Sequence, residues 1–207
     1  MIVCVLDITK KSIPLNNDFF FLHILIGFIS LDCGLPKEES PYTDRDTGIK
    51  FSSDADYIQS GIMGRIDTSL EATSLKSRVT LRYFPDGLRN CYSLSVKQGT
   101  KYLMRATALY GNYDGHNVYP KFDLYIGPNF WVTLDLGKYV NGQAEEIIHV
   151  PSSNFLEVCL VKTGPSTPLI SILELRPLDN DTYIITQLGS LKCFKRYYFS
   201  NSKSNIA

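Results

Sequence analysis

The chain has 207 residues, of which 44% are hydrophobic, so it is long enough and apolar enough to form one folded domain with a packed core. Its 21 basic and 21 acidic residues cancel, and no basic stripe occurs, which argues against nucleic acid as the main partner. The 13 tyrosines and 11 phenylalanines fall mostly in alternating runs, which favours an all-β protein over a helical one.

An apolar run at residues 19–29 has the length of a signal-peptide core and is too short for a confident membrane span. Its flanks are atypical of a signal, because Asp18 precedes the run directly and Lys11 lies well upstream. We interpret residues 1–26 as an atypical leader or degenerate signal region, and a core strand is the alternative. Residues 28–31 fit the first strand of the folded domain under either interpretation.

Residues 36–48 are polar and punctuated by proline and glycine, so we predict a loop there. Asp44, Arg45 and Asp46 resemble half of a calcium loop, but the later glutamate is missing, and we interpret them as a solvated turn. Alternating segments then follow, separated by Gly, Pro and Asn. The predicted strands are 79–84, 92–96, 102–110, 121–126, 130–136, 146–150, 155–162 and 169–175. Many short strands with regular turns imply an antiparallel sandwich or barrel.

The segment 102–136 is the most informative part of the chain. Two alternating runs flank a tip at residues 110–117, and Asp114-Gly115 favours a tight turn because glycine accepts a positive φ, so we predict a β-hairpin. The tip combines aromatic rings with amides and a carboxylate. Such a mixture suits sugars, whose apolar faces stack while their hydroxyls need partners. The alternative is a hairpin loop whose tyrosines only pack on their neighbours.

Three residues inside the predicted strands have a structural interpretation. Trp131 is expected in the core or packed on a sheet face, as a lone tryptophan in a strand usually is. Arg105 and Glu174 each need solvent or a partner, because an unpaired charge is costly to bury, and an ion pair between them is one solution.

The five cysteines stand far apart and form no CxxC pair, which gives a zinc site or a thioredoxin-like centre little support. Buried, inert thiols are one interpretation, and structural disulfides would need an oxidising compartment. Cys91 and Cys159 each lie at or in a predicted strand, and we favour a bridge between them, with Cys33 as the alternative partner of Cys91. Cys4 lies in the leader, and Cys193, near the end, is expected to be unpaired.

Catalytic motifs are absent from the sequence. It has no GxSxG elbow, HExxH pair, P-loop or GxGxxG, and of its three histidines only His116 falls on the predicted tip. No two carboxylates are singled out as a glycoside-hydrolysing pair. We therefore expect no enzyme, no metal site and no cofactor. Asn180 begins the only glycosylation acceptor triplet, which is consistent with secretion.

Several long motifs occur in the order typical of one family. They are ISLDCGLP at 29–36, YTDRDTGIKFSSDADYI at 42–58, RYFPDGLRNCYSL at 82–94, RATALYGNYDG at 105–115, YPKFDLYIGPNFW at 119–131, FLEVCLVKTG at 155–164 and ISILELRPL at 170–178. Together they resemble the malectin-like ectodomain of plant leucine-rich-repeat receptor kinases over residues 27–200.

This resemblance implies an antiparallel jelly-roll-like β-sandwich of the malectin or galactose-binding-like type. Residues 27–200 would be the first of two tandem extracellular modules, and residues 201–207 a truncated tail. In such receptors, leucine-rich repeats, a membrane helix and a Ser/Thr kinase follow, and the sequence contains none of them. We therefore expect a receptor fragment without kinase activity.

The resemblance also implies candidate ligand-binding residues. Animal malectin binds diglucosylated glycans through aromatic residues and an aspartate on loops, whereas the plant ligands include cell-wall polysaccharide and peptides. Matching the tip to that loop region makes Tyr110, Tyr113 and Asp114 candidates, together with Asn112 on the same tip and Tyr57 on a different loop.

The residues and the family resemblance leave three functions open. The first is a non-catalytic carbohydrate-binding ectodomain that senses a cell-wall or glucan-type ligand, secreted or at the extracellular face of the plasma membrane. The second is a module that binds a peptide or co-receptor, because tyrosine-rich tips also anchor protein interfaces. The third is a hydrolase, which would require turnover that depends on a carboxylate. Membrane association would occur only through N-terminal or missing segments.

Overall fold

A computed structural model defines residues 4–6, 27–179, 182–183, 190–193 and 196–198, without the side chains of residues 4–6, 193 and 196–198. The candidate glycosylation site Asn180, most of the leader 1–26 and the tail 201–207 lie outside the described residues.

The described residues form sixteen strands and little helix. The strands are β1 Cys4–Leu6, β2 Ile29–Asp32, β3 Tyr42–Thr43, β4 Lys50–Ser53, β5 Ile62–Arg65, β6 Thr80–Tyr83, β7 Arg89–Ser95, β8 Tyr102–Ala108, β9 Lys121–Ile126, β10 Asn129–Asp135, β11 Gln143–His149, β12 Phe155–Val161, β13 Leu169–Ile170, β14 Ile172–Pro177, β15 Ser190–Cys193 and β16 Arg196–Tyr198. One short helix, α1, spans Thr68–Glu71, and two 3-10 turns span Lys37–Glu39 and Lys76–Arg78.

Two large sheets dominate the fold. One has four strands in the order β10-β9-β12-β7, and the other has seven in the order β15-β11-β8-β14-β2-β4-β3. A three-stranded sheet, β13-β6-β5, and the pair β1-β16 complete the described structure. Strand pairing is antiparallel except between β1 and β16 and between β2 and β4.

The main core lies between the inner faces of the two large sheets. In β9, Phe122, Leu124 and Ile126 are buried, and they belong to the same apolar cluster as Met104 and Ala106 of β8. The residues between them in β9 are more exposed, because successive side chains of a strand point to opposite faces. Alternation therefore assigns each strand one core face, and the predicted all-β, jelly-roll-like sandwich is confirmed.

Most predicted strands are present with ends shifted by at most three residues. The segment 169–175 is not one strand, because it divides at Ser171 into β13 and β14, which belong to different sheets. The Ser171 N–H donates to Thr107 O at 2.9 Å, and its carbonyl accepts from Cys33 N at 2.8 Å. Six short strands were missed, because they are only two to four residues long: β1, β3, β4, β5, β15 and β16.

The predicted hairpin around residues 110–117 is wrong. Strand β8 pairs with β11 and β14, whereas β9 pairs with β10 and β12, so the segment between them crosses from the seven-stranded to the four-stranded sheet. The two strands face each other across the core instead of sharing a ladder. Alternation fixed the buried face of each strand but not its partner. The β-hairpin in this region is β9-β10, which turns at Gly127-Pro128.

The structure pairs Cys91 with Cys159 in a disulfide. The two residues are register partners on the adjacent strands β7 and β12, with their Cα atoms 4.0 Å apart. Cys33, the alternative partner, is a buried free thiol. Burial raises the pKa of this thiol well above its usual range. The side chains of Cys4 and Cys193 lie outside the description.

Three other expectations about side chains can be compared with the structure. Trp131 is 3% exposed and belongs to the core, as predicted. Arg105 Nη1 lies 4.0 Å from Glu174 Oε2, and Arg105 Nε lies 3.2 Å from Glu146 Oε1. Arg105 therefore pairs with the predicted partner Glu174 and also with Glu146. Asp44 is not a solvated residue, because it is 3% exposed and its carboxylate accepts hydrogen bonds from Asp46 N and Thr47 N.

Candidate functional site

The crossing loop between β8 and β9, residues 109–120, has its shape set by backbone torsions that few residue types adopt. Gly111, Asn112, Gly115 and Asn117 all have positive φ, between 50° and 70°. The turn predicted at Asp114-Gly115 is therefore present, although the loop that contains it does not connect two paired strands. The Gly115 N–H donates to Asn112 O at 3.0 Å and closes the tip.

Tyr110 organises this loop from inside. Its side chain is 2% exposed, and its hydroxyl donates to Asp114 Oδ1 at 2.5 Å and accepts from Val118 N at 3.2 Å. Tyr110 lines the cavity beside this loop, but its ring is almost completely buried, so direct contact of Tyr110 with a ligand stays a prediction. Burial, together with the hydrogen bond to Asp114, raises the pKa of Tyr110 to about 12, so the hydroxyl stays protonated as a donor.

Asn112 also serves the loop itself. Its side-chain oxygen accepts from Asn117 N at 2.9 Å and lies 3.3 Å from the Tyr110 hydroxyl. This amide oxygen is therefore already engaged within the loop. Its Asn identity is explained locally, because asparagine tolerates the positive φ and bonds to nearby backbone.

A shallow cavity of about 280 Å³, here called the loop cavity, lies beside this loop. Its lining includes Tyr113, Asp114, His116, Val118, Ser166 and Thr167. Tyr113 is half-buried, with its ring centroid 4.7 Å from that of Tyr83 and 5.7 Å from that of Tyr110. Packing on two other rings holds the Tyr113 ring in place at the cavity.

Asp114 and His116 supply charge and hydrogen-bonding capacity at the loop cavity. Burial acts to raise the pKa of Asp114, but hydrogen bonds from the Tyr110 hydroxyl and the His116 N–H hold it below its usual range. Asp114 is therefore an acceptor-only carboxylate at neutral pH. His116 is exposed, with Nδ1 3.6 Å from Asp114 Oδ2. Asp114 is the one carboxylate in the cavity lining, whereas glycoside hydrolysis uses a pair.

Tyr57 lies elsewhere. It lines a separate cavity of about 410 Å³ together with Phe28, Lys50 and Arg176, and its ring packs partly against the core. The structure therefore brings Tyr110, Asn112, Tyr113 and Asp114 together but leaves Tyr57 apart from them.

Part of the loop cavity was missed by sequence reasoning. Pro165, Ser166 and Thr167 belong to the segment between β12 and β13, about fifty residues beyond the tip in sequence. Ser166 bonds to the backbone of Lys121 at both N and O, each at 3.0 Å. No local pattern reports a contact between two loops. The cluster of Pro, Ser and Thr in this segment is typical of a loop but does not indicate which loop it contacts.

One group of metal-ligand residue types occurs among the described residues. Cys91, Glu157 and Cys159 place one ligand atom each within 4.8 Å of one another. Both sulfur atoms are joined in the disulfide, so neither is a thiolate that could bind a metal.

Comparison with known sequences identifies the family. The sequence model of the malectin-like domain matches residues 31–207. The chain belongs to the malectin-like domain family. The matching model describes this domain and not a protein kinase domain, so no kinase activity resides in the matched residues.

The curated relatives of this malectin-like chain are receptor kinases of Arabidopsis thaliana. The receptor-like protein kinase At3g46340 is 66% identical over 182 residues, which cover 87% of this chain and 20% of that protein. The LRR receptor-like serine/threonine-protein kinase MEE39 is 60% identical over 176 residues, 85% of this chain and 20% of that protein. This malectin-like chain therefore spans about a fifth of the length of these relatives.

Solved structures share the malectin-like fold. The plant receptor-like kinase FER matches with a TM-score of 0.65 at 19% identity, over 77% of this chain and 44% of that chain. The ANX2 ectodomain from Arabidopsis thaliana matches with a TM-score of 0.62 at 19% identity, over 74% of this chain and 42% of that chain. A chain in the complex of the plant peptide RALF23 with FER and LLG2 matches with a TM-score of 0.61 at 15% identity, over 80% of this chain and 46% of that chain. At these identities the likeness shows the fold alone.

Among the residues that the structure describes, no helix has the length and apolar character needed to cross a membrane.

Proposed function

We propose that this chain is a non-catalytic, ligand-sensing module of a plant receptor-like kinase ectodomain, and that it binds a saccharide at the loop cavity. The observation that carries the proposal is the convergence of the Tyr113 ring with Asp114 and His116 on one preorganised loop. The ring offers an apolar face, while the carboxylate and imidazole offer partners to hydroxyl groups.

The loop geometry supports this assignment because little must be ordered when a ligand binds. Asp114 is held by Tyr110, and Tyr113 is held by Tyr83, before any ligand arrives. Preorganisation of this kind lowers the entropy cost of association. With one ring and a few polar groups, affinity stays weak, and stacking worth about 0.5–1.5 kcal/mol per ring gives millimolar to micromolar binding.

The proposal includes the position of the chain in a larger protein. Residues 27–200 act as the first of two tandem extracellular modules, at the cell surface or secreted, which agrees with the receptor-kinase nature of the relatives. The Cys91–Cys159 disulfide is consistent with such an oxidising location.

Titration with a panel of glucans and other cell-wall oligosaccharides tests the saccharide assignment. Tyr113→Ala should weaken binding about tenfold, because it removes the stacking face. Tyr139→Ala is the matched control, since Tyr139 is a tyrosine that is 53% exposed and does not line the loop cavity. Absence of binding to every saccharide, or equal binding by both variants, would refute the proposal.

A peptide or co-receptor is the second candidate ligand. Val118, in the lining of the loop cavity, and Tyr119, beside it, are 63% and 43% exposed, and apolar and tyrosine side chains of this kind anchor protein interfaces. A related ectodomain, FER, has been solved with a peptide and LLG2. Crosslinking of the intact ectodomain discriminates, because Tyr119→Ala, at a residue outside the cavity lining, should reduce capture of a polypeptide and leave saccharide binding unchanged.

A further inference from the structure

A third cavity, of about 500 Å³, lies at the other end of the four-stranded sheet and is here called the Phe155 cavity. It is formed by the β9-β10 turn and by the segment that leads into β12. Strands β9 and β12 are antiparallel, so the start of β9 and the end of β12 lie at the same end of the sheet, and the loop cavity lies there. A six-residue strand separates the two cavities, which places them about 20 Å apart.

The walls of the Phe155 cavity are fixed by hydrogen bonds in which backbone groups take part. The Gly127 N–H donates to Glu157 O at 2.8 Å and joins the β9-β10 turn to β12. Asn154 O accepts from Val96 N, and its side-chain oxygen accepts from Gln98 N at 2.9 Å. The Ser153 hydroxyl donates to Phe155 O at 2.7 Å. The segment before β12 is thus tied to its neighbours.

Phe155 gives this cavity an apolar face. Its side chain is 67% exposed, although a phenylalanine is normally buried. It lies on the same face of β12 as Glu157, two residues further on, which puts the two Cα atoms about 6.6 Å apart. The ring is therefore available for stacking within reach of a carboxylate.

Polar groups without partners surround this ring. Within the described part of the chain, the side chains of Glu157, Asn129, Ser93 and Ser152 make no hydrogen bond, and all four residues line the cavity and are exposed. Ser93 and Glu157 are register partners on adjacent strands, so their side chains lie side by side on the outer face of the sheet. His149, which lines the same cavity, is half-buried, with Nδ1 2.7 Å from the Ser190 hydroxyl.

We propose that the Phe155 cavity is a second saccharide-binding site, which takes an uncharged sugar with one apolar face on Phe155 and its hydroxyls on Glu157, Asn129 and the serines. Four free polar side chains around one ring match a polyol, whereas a single cationic side chain would use the ring and Glu157 alone. The Glu157 carboxylate opposes acidic sugars, because no Lys or Arg lines the cavity. The ligand class is that of the proposed function, but the site is separate.

Two sites at opposite ends of one sheet have a consequence for long ligands. A polysaccharide that reaches both cavities would bind more tightly than a short oligosaccharide, since the second contact becomes intramolecular.

The test is an amide-signal titration of the isotope-labelled 207-residue chain with cellotetraose, xylotetraose, mannotetraose and maltotetraose. Signals of Gly127, Ser153 and Glu157 report on the Phe155 cavity, and those of Gly115 and His116 report on the loop cavity. We expect saturable shifts at the Phe155 cavity, weakened about tenfold by Phe155→Ala. Phe130→Ala, which alters a phenylalanine that is 56% exposed outside the cavity lining, should leave them unchanged.

The outcomes separate this inference from the proposed function. Shifts at Gly127, Ser153 and Glu157 that survive Tyr113→Ala support the second site even if the loop cavity shows none. No saturable shift there with any of the four sugars, or shifts that Phe155→Ala leaves unchanged, overturn it. A lysine-containing tetrapeptide is the competing probe. If that peptide alone binds, with an affinity that salt weakens and Glu157→Gln abolishes, the site is a cation site and the saccharide assignment is wrong.

Discussion

Asp54 shows at the scale of one residue how this fold holds a buried charge. Its carboxylate has no exposed surface, yet it accepts from Arg82 Nε at 2.6 Å and from Arg82 Nη2 at 2.7 Å. The Tyr92 hydroxyl donates to it at 2.8 Å and the Gly34 N–H at 3.1 Å. These bonds compensate for the loss of water around the charge and connect three distant stretches of the chain.

We expect Arg82→Met to destabilise the protein by about 3–5 kcal/mol, because it leaves Asp54 charged and buried without its cation. Urea unfolding monitored by fluorescence measures the free energy of unfolding. Lys37→Met is the matched control, since the Lys37–Asp56 ion pair is exposed and should contribute less than about 1 kcal/mol. A loss as small as that of the control would show that Arg82 does not balance Asp54.

Asp32 makes stability depend on pH. Burial raises its pKa from 3.8 to about 6, although hydrogen bonds from Thr80 and Tyr42 act in the opposite direction. The folded protein therefore binds a proton that the unfolded chain has already released between about pH 4 and pH 6, so the contribution of Asp32 to the free energy of unfolding falls as pH rises through this window.

One pKa unit corresponds to about 1.4 kcal/mol, and the Asp32 carboxyl of the unfolded chain is already largely ionised at pH 4, so the stability of the native protein relative to Asp32→Asn should fall by about 2 kcal/mol between pH 4 and pH 7. Urea unfolding of both proteins at several pH values gives this difference, and titration of the other groups largely cancels in the comparison. A relative stability that rises with pH would contradict the raised pKa.

At the scale of elements, the crossing loop depends on glycines that differ in their surroundings. Gly111 has a φ of +51°, and a Cβ there would lie 2.2 Å from Ile66 Cγ2 in the core. Gly115 has a φ of +70°, but a Cβ there would meet nothing within 4 Å. Packing against Ile66 and the positive φ together require glycine at position 111, whereas only the positive φ favours glycine at position 115.

Gly111→Ala should therefore cost about 2–4 kcal/mol, since left-handed strain adds to overpacking against Ile66. Gly115→Ala should cost about 1 kcal/mol, from the torsion alone. Thermal unfolding of the two variants measures this difference. Equal losses would mean that the Ile66 side chain moves aside without cost.

The disulfide staples two adjacent strands whose cysteines are 68 residues apart in sequence. Closing a loop of that length in the unfolded chain should stabilise the fold by about 2–5 kcal/mol. Reductant should therefore lower the urea midpoint of the native protein and leave that of the Cys91→Ser/Cys159→Ser double variant unchanged. An equal reductant effect on both proteins would exclude this bridge as the cause.

At the scale of the whole molecule, the seven-stranded sheet is completed late in the chain. Strand β14 lies between β8 and β2 and pairs with both, so the N-terminal strand β2 is connected to the sheet only through residues near position 175 and through β4. Such long-range pairing makes folding slow compared with that of helical domains.

Truncation tests this dependence. A chain that ends after residue 167 lacks β13 and β14 and should lose cooperative urea unfolding, because β2 and β8 are no longer joined. Of the described strands, a chain that ends after residue 183 keeps β13 and β14, loses β15 from the sheet edge and β16, the partner of β1, and should retain a cooperative transition. Cooperative unfolding of the shorter chain would show that the sheet closes without β14.

The candidate site was only partly predictable. The turn residues Gly115 and Asn117 and the rings at the tip were identified from sequence, because local torsion and composition mark them. The burial of Tyr110 was not predicted, because an alternating pattern that ends at residue 110 does not show whether the last side chain lies inside the core or at the surface of the sandwich. Phe155 and Glu157 were predicted only as part of a strand, because a cavity between two distant turns leaves no local pattern.

The sequence by itself determined the all-β class, the main strands, the buried face of each strand and the malectin-like family, because period-two alternation and long ordered motifs are local properties of the chain. Only the tertiary structure decided which strands are neighbours, that the segment after β8 crosses between sheets, and which side chains line the two cavities. The physical reason is that pairing and cavities depend on contacts between residues far apart in sequence, and many such arrangements satisfy the same alternating pattern.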